Sequence, residues 1–228
     1  MQPGHHASPI NQLPPVVWLI LLPIVAMELV LNAGSLGLAG GAGGIGWRNE
    51  ALQRFALSPA MLDYMLASRT FSADDLMRFF TYSVVHGSLM HAVWAGVFIL
   101  AMGKFVGEVF SGAAVLAVYV ASVVISAVVY SLIPGLVYPL FGAYPGAFGL
   151  IGAFTFILWT RLGAVHANRN RAFSLIGFLL GIRLVFAIFF GSSPDWIAEV
   201  AGFATGFGLS FLVGPGGPAH MIARIRQR

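Results

Sequence analysis

Between Val109 and Thr160 the chain carries not one Asp, Glu, Lys or Arg. A helix needs about 20 apolar residues, at 1.5 Å each, to cross the ~30 Å hydrocarbon layer of a bilayer. The uncharged run therefore holds two crossings and a hairpin between them, and Pro134, Gly135, Pro139 and Gly142 mark the hairpin. The remainder of the chain has the same character. Of its 228 residues 58% are hydrophobic and 9% charged, with a mean hydropathy of +0.87, against about 25% charged in an ordinary soluble domain. The 12 basic and 8 acidic side chains cannot clothe a soluble core of this size, so the surplus apolar surface must face lipid. The expected fold is all-α, a polytopic bundle of transmembrane helices with the lipid bilayer as its first partner. Cysteine is absent, which removes disulfides, thiol nucleophiles and cysteine-ligated metals. The small basic excess is of the kind that orients membrane helices, and no nucleic-acid partner is read from it.

Six spans are expected: about 15–33, about 79–106, two within 109–160, about 173–190 and about 196–212, the last two separated by the loop-like run Gly191-Ser-Ser-Pro194. The opening span lacks the basic flank and cleavage site of a signal peptide. An even number of spans puts both termini on one side, together with Lys104, Arg161, Arg169, Arg171, Arg224, Arg226 and Arg228. Arg48, Arg54, Arg69 and Arg78 fall on the other, all within one long segment. Because short loops decide orientation, both termini are expected in the cytoplasm. Residues 34–78 then form an extracytoplasmic loop, in which Gly-rich coil precedes a helix-like piece from Glu50 to Ala56. Ser72 with Asp75 resembles a capping box leading into span two. The expected organisation is a cytoplasmic tail over 1–13, one six-helix membrane domain over 14–214, and a basic cytoplasmic tail over 215–228. Inner or plasma membrane is the expected location.

Ionisable side chains at membrane depth are costly, so each is a candidate for function. Here they are Glu28, His86, His91, Arg183 and Glu199, with Glu108 at the cytoplasmic end of span two. His86 and His91 are five residues apart, about 500° on a helix, and project from different sides unless one lies in a loop. A metal site would want histidines at i and i+4 and further ligands, so neither a metal nor a cofactor is expected. The His5-His6 pair lies in the polar tail. Arg183 sits roughly 12 Å below the extracytoplasmic end of span five, and Glu199 a few residues into span six from the same side. An Arg183–Glu199 pair is the simplest way to make both charges tolerable, whether as a bridge between helices or as part of a binding site. Small residues recur at four-residue spacing in Gly202-Phe-Ala-Thr-Gly206 and Gly177-Phe-Leu-Leu-Gly181, while Gly146, Gly149 and Gly152 line span four. Close approach of spans four and six follows.

Taken together, three stretches resemble the rhomboid family of intramembrane serine proteases. They are Arg78-Phe-Phe-Thr81 with His86-Gly-Ser-Leu-Met-His91 and the stretch from Gly103 to Glu108; Gly142-Ala-Tyr-Pro-Gly-Ala-Phe-Gly-Leu-Ile-Gly-Ala153; and Ala198-Glu-Val-Ala-Gly-Phe-Ala-Thr-Gly206. The resemblance runs from about Asp74 to Gly208. It implies a six-helix rhomboid fold in which Arg78, Glu108, Gly149, Gly152, Gly202 and Gly206 are structural. Rhomboid proteases use a serine at the top of span four, a histidine on span six, and an asparagine on span two that helps to hold the oxyanion.

At the positions matching those three residues this chain has Tyr144, Glu199 and Ala95. Pro145 replaces the glycine after the serine, which removes a backbone N–H and is expected to hold Tyr144 extended. Met77 stands where the family has tryptophan. Tyrosine is a poor acyl-transfer nucleophile with a pKa near 10, so the resemblance implies a member without the catalytic dyad. Such members are thought to bind transmembrane segments of client proteins. His86, His91, Tyr144, Arg183 and Glu199 would then form the polar cluster of a client groove. Two other readings stand beside this one: an active endopeptidase using Ser192 or Ser193, and a small-molecule or ion carrier built on Arg183 and Glu199. The carrier reading lacks a lining of acidic residues and any internal repeat.

Overall fold

The computed structural model describes residues 12–191 and 193–215. The polar tails with His5 and His6, most of the basic C-terminal tail, and Ser192 lie outside the described residues. Among the described residues nine α-helices follow one another: α1 (Pro15–Ser35), α2 (Trp47–Phe55), α3 (Ala60–Ser68), α4 (Ala73–Thr81), α5 (Leu89–Gly107), α6 (Gly112–Ser131), α7 (Tyr144–Ala164), α8 (Ser174–Phe190) and α9 (Trp196–Val213). Among the described residues, six helical stretches are long and apolar enough to cross a membrane: α1, α5, α6, α7, α9 and Arg169–Phe189, which joins a 3-10 turn to α8. The chain is thus an all-helical integral membrane protein. The β structure among the described residues is a single antiparallel bridge, Leu57 to Leu140, which ties the long loop to the α6–α7 hairpin.

Three of these helices begin where a serine offers a partner for the free N–H groups of the first turn. Ser72, Ser88 and Ser111 accept from the backbone N–H of Asp75, His91 and Ala114 at the starts of α4, α5 and α6. Ser72 also donates to the Asp75 carboxylate at 2.6 Å, so the expected cap is present. Proline opens α1 and lies in the first turn of α7, where a missing N–H costs nothing.

Two expectations need correction. Span two does not run unbroken from Phe79 to Val106. α4 ends at Thr81, a 3-10 turn covers Tyr82–Val84, and α5 starts only at Leu89. The Tyr82 side chain explains the break: it is fully buried, and its hydroxyl donates to the Val123 carbonyl on α6 at 2.8 Å. That anchor turns the chain inward before α5. Pro145 does not hold Tyr144 outside the helix either, because Tyr144 is the first residue of α7.

The centre of the bundle is α7, against which α6 and α9 pack, with α1 and α5 completing the core. α7 and α9 meet backbone to backbone. A Cβ on Gly202 would collide with the Pro145 carbonyl, one on Gly206 with that of Gly149, and one on Gly152 with that of Phe203. Small residues permit this approach, and dispersion between the close backbones stabilises it. From α6, Ser122 and Ser126 donate to the carbonyls of Gly202 (3.1 Å) and Ala198 (2.7 Å). The second glycine pair behaves otherwise: at Gly177 and Gly181 a Cβ would meet nothing within 4 Å. α8 packs through its first two turns, where Ile176 with Leu175, Leu179 and Leu180 joins Phe148, Ile151 and Phe203. Only 11% of the apolar stretch containing α8 is buried, against 56% for α7.

Candidate functional site

The N-terminus of α7 and the first turn of α9 bring the expected polar cluster to one end of the bundle. His86 lies in the loop before α5 and His91 in the first turn of α5, so the loop placement resolves their five-residue offset. The two rings meet edge to face with centroids 5.2 Å apart. His86 is completely buried, and its Nε2 accepts the Ala143 backbone N–H at 3.1 Å, immediately before Tyr144. Burial, with the neighbouring His91 adding to it, pushes the His86 imidazole down to about 3, so it is a neutral acceptor holding the entrance to α7.

His91 stacks on the Tyr144 ring, with centroids 5.2 Å apart and planes inclined by 21°, and touches Phe141 edge-on. Gly142 makes room for this. Its φ is +100°, and a Cβ would lie 2.9 Å from the His91 Cε1, so glycine is required both for conformation and for space. Phe98 also contacts Tyr144, at 6.2 Å between centroids. Ala95 is fully buried and offers only a methyl group.

Tyr144 and Glu199 are neighbours through the helix contact, since Pro145 abuts Gly202, one turn beyond Glu199. Glu199 sits in the first turn of α9, whose N-cap is Asp195. Arg183 reaches across from α8 and donates to the Glu199 Oε1 at 2.6 Å and to the Asp195 Oδ1 at 2.5 Å. Ser193 also donates to the Asp195 carboxylate. The expected Arg183–Glu199 pair is therefore present, but inside a three-residue cluster whose formal charge is −1. The Glu199 side chain is 4% exposed, against 29% for Arg183 and 38% for Asp195. Its second oxygen, Oε2, is buried and has no hydrogen-bond partner among the described residues.

The other intramembrane acid, Glu28, is fully occupied. Arg48 from α2 donates to both of its oxygens, at 3.0 and 2.9 Å, and to the His86 carbonyl at 2.7 Å, while Asn32 adds a bond at 3.0 Å. Of the residues expected to be structural, Arg78 donates to the carbonyls of Gln53 and Ala56 at the end of α2, and Glu108 forms the C-cap of α5. Sequence reasoning missed Asp195 and the role of Arg48. Asp195 could have been found as the acidic residue directly ahead of an apolar run, the position that caps a helix. Arg48 carried no local signal, because its partner lies 20 residues away on a different helix.

Residues 73–216 match the family description "Rhomboid domain", from the start of α4 through the end of α9. No curated protein matches the chain.

Proposed function

This chain belongs to the rhomboid family, and from that premise we propose that it is a member without protease chemistry that binds transmembrane segments of client membrane proteins. One observation carries the reading: the carboxylate at the position of the family's catalytic histidine is held by Arg183 at 2.6 Å. A general base must be free to take a proton from a nucleophile within hydrogen-bond reach. Here Glu199 is engaged by a guanidinium that it shares with Asp195, and its neighbour Tyr144 is a ring in contact with His91 and Phe98. His86 spends its acceptor nitrogen on the Ala143 N–H. Ala95 supplies no donor for an oxyanion, and losing one such donor costs about 3 kcal/mol of barrier. What remains is a polar cluster near the end of a bundle, beside a helix, α8, whose outer half is thinly packed.

In this reading residues 14–214 act as one membrane body with residues 34–78 outside the cytoplasm. Both termini lie inside, and the protein resides in the plasma or inner membrane, as the Lys and Arg asymmetry supports. Lipid and client segments are its partners, and the chemistry requires no cofactor.

The test is direct. Purified protein in liposomes is expected to leave a rhomboid model substrate uncut and to take no label from a fluorophosphonate probe. Tyr144→Ser alone is expected to stay inactive, since the parts of a catalytic unit do not act singly. Photo-crosslinking from Tyr144 in native membranes should capture single-span proteins. Cleavage by the unmodified protein, abolished by changing Ser192 or Ser193, would overturn the proposal.

A further inference from the structure

Glu199 combines three properties seldom found together. It is buried at membrane depth, its charge is only half answered, and the helix beside it is loosely held. Arg183 serves two carboxylates at once, so the Arg183–Asp195–Glu199 cluster keeps a formal charge of −1. Asp195 is 38% exposed and can be hydrated; Glu199 is 4% exposed and cannot. Its Oε2 has no donor among the described residues. An orphaned charged acceptor in this setting costs more than a neutral one, and the cost is recovered when a donor arrives.

The contrast with Glu28 is instructive, because there every carboxylate oxygen is matched by Arg48 and Asn32. The fold thus completes one intramembrane carboxylate and leaves the other incomplete. Access does not require the bundle core to open. Beyond Leu180, the outer turns of α8 are joined to α9 by the Arg183 ion pairs, and Leu184, Val185 and Ile188 on those turns are exposed.

We infer that the site selects client transmembrane segments carrying a basic residue about one turn inside their extracytoplasmic end, and that this residue donates to the Glu199 Oε2. The inference rests on the client-binding reading above and gives it a chemical class. Charge complementarity names the occupant: a single cation brings the cluster from −1 to neutral. Depth fits as well. Glu199 is the fourth residue of α9, about 5 Å from the helix start, a level at which lysine or arginine is tolerated because its stem can reach the interface when unbound. A client with an acidic residue at the same level would place like charges together, which is costly, so the site also discriminates against it.

The experiment co-reconstitutes the full-length protein in phosphatidylcholine vesicles with single-span apolar helices, each fused to the same reporter domain at its cytoplasmic end. The helices carry Lys, Leu or Glu one turn inside the outer end, or Lys one turn inside the inner end, and association is read by energy transfer. The outer-Lys helix is expected to bind at least tenfold more tightly than the other three, and Glu199→Gln should bring it to within twofold of the Leu helix. Equal binding of the Leu and outer-Lys helices would overturn the basic-residue selection while leaving client binding intact. A Lys preference that survives Glu199→Gln would also overturn it, by moving the acceptor elsewhere. Binding of none of the four would overturn both. The comparison among helices uses the unmodified protein, so it decides the matter even if Glu199→Gln fails to fold.

Discussion

Two helices flank the first turns of α9 and hold it by different means. α7 approaches so closely that single hydrogen atoms on Gly152, Gly202 and Gly206 are all the space allows. α8 joins it chiefly through Arg183, and its own glycines face open space. Backbone contact is short-ranged and has no alternative arrangement, so the α7–α9 pair fixes where Tyr144 and Glu199 stand relative to each other. An ion pair on long side chains tolerates displacement and can exchange partners. The same end of the bundle therefore contains a rigid wall and a yielding one, the combination that the proposed client site would use.

The sharpest way to break the comparison is to place the same substitution on each wall. Gly206→Leu drives a side chain into the Gly149 carbonyl, and the loss is expected to exceed about 4 kcal/mol, or to prevent assembly. Gly181→Leu, with nothing nearby, should stay within about 0.5 kcal/mol. Unfolding in mixed micelles of mild detergent and dodecyl sulfate measures both. Equal penalties would mean that α8 is packed as firmly as α7.

Next in size is the ionic contact. Arg183→Leu leaves Glu199 buried without its counter-ion and should cost about 3 kcal/mol, the low end of the range for a broken buried pair because Arg183 is partly exposed. Arg183→Leu combined with Glu199→Leu should recover at least 1 kcal/mol of that, a coupling that a double-mutant cycle reads. Hydrogen exchange should quicken in the outer turns of α8 and remain unchanged in α7. Exchange that quickens in α7 to the same degree would dissolve the distinction between the walls.

His86 tests the rigid side by pH. Its folded value is depressed to about 3 from the usual 6.5. The stability it lends is therefore fully present above about 6.5 and is lost as pH falls toward 3. At pH 4.5, His86→Asn, which keeps an acceptor for the Ala143 N–H, should narrow the gap between neutral and acid stability by about 2 kcal/mol. A gap of unchanged size would show that the imidazole does not stay neutral.

Much of this architecture was legible beforehand, and the boundary of legibility is physical. Apolar runs and serine caps are local, so spans one, five and six emerged at nearly their true limits, and the uncharged run was divided into two helices and a hairpin. Span two did not, because the break before α5 is enforced by a tertiary hydrogen bond from Tyr82 to Val123, which no local pattern announces. Gly202 and Gly206 could be recognised as a packing face, yet nothing in the spacing of Gly177 and Gly181 told that theirs was unpartnered. In the site, depth alone suggested Arg183 with Glu199. The sharing of Arg183 with Asp195, and hence the unanswered Oε2, depends on side-chain geometry.

The smallest expected effect concerns the serines of α6. Ser126 donates to the Ala198 carbonyl at 2.7 Å and Ser122 to that of Gly202 at 3.1 Å, so the two bonds bracket Glu199 from behind. Each carbonyl also serves as an acceptor within α9 itself, and removing the hydroxyl does not orphan it. Ser126→Ala should therefore cost only about 0.6 kcal/mol, the average for hydrogen bonds between helices in membranes. Ser122→Ala should cost about the same, and the pair together roughly the sum. The unfolding assay used for Gly206→Leu resolves these differences if each is measured against the parent in the same micelle. If either single change cost more than about 2 kcal/mol, α9 would be suspended from α6 by polar contacts, and its glycine contact with α7 would be a consequence of that suspension instead of its cause.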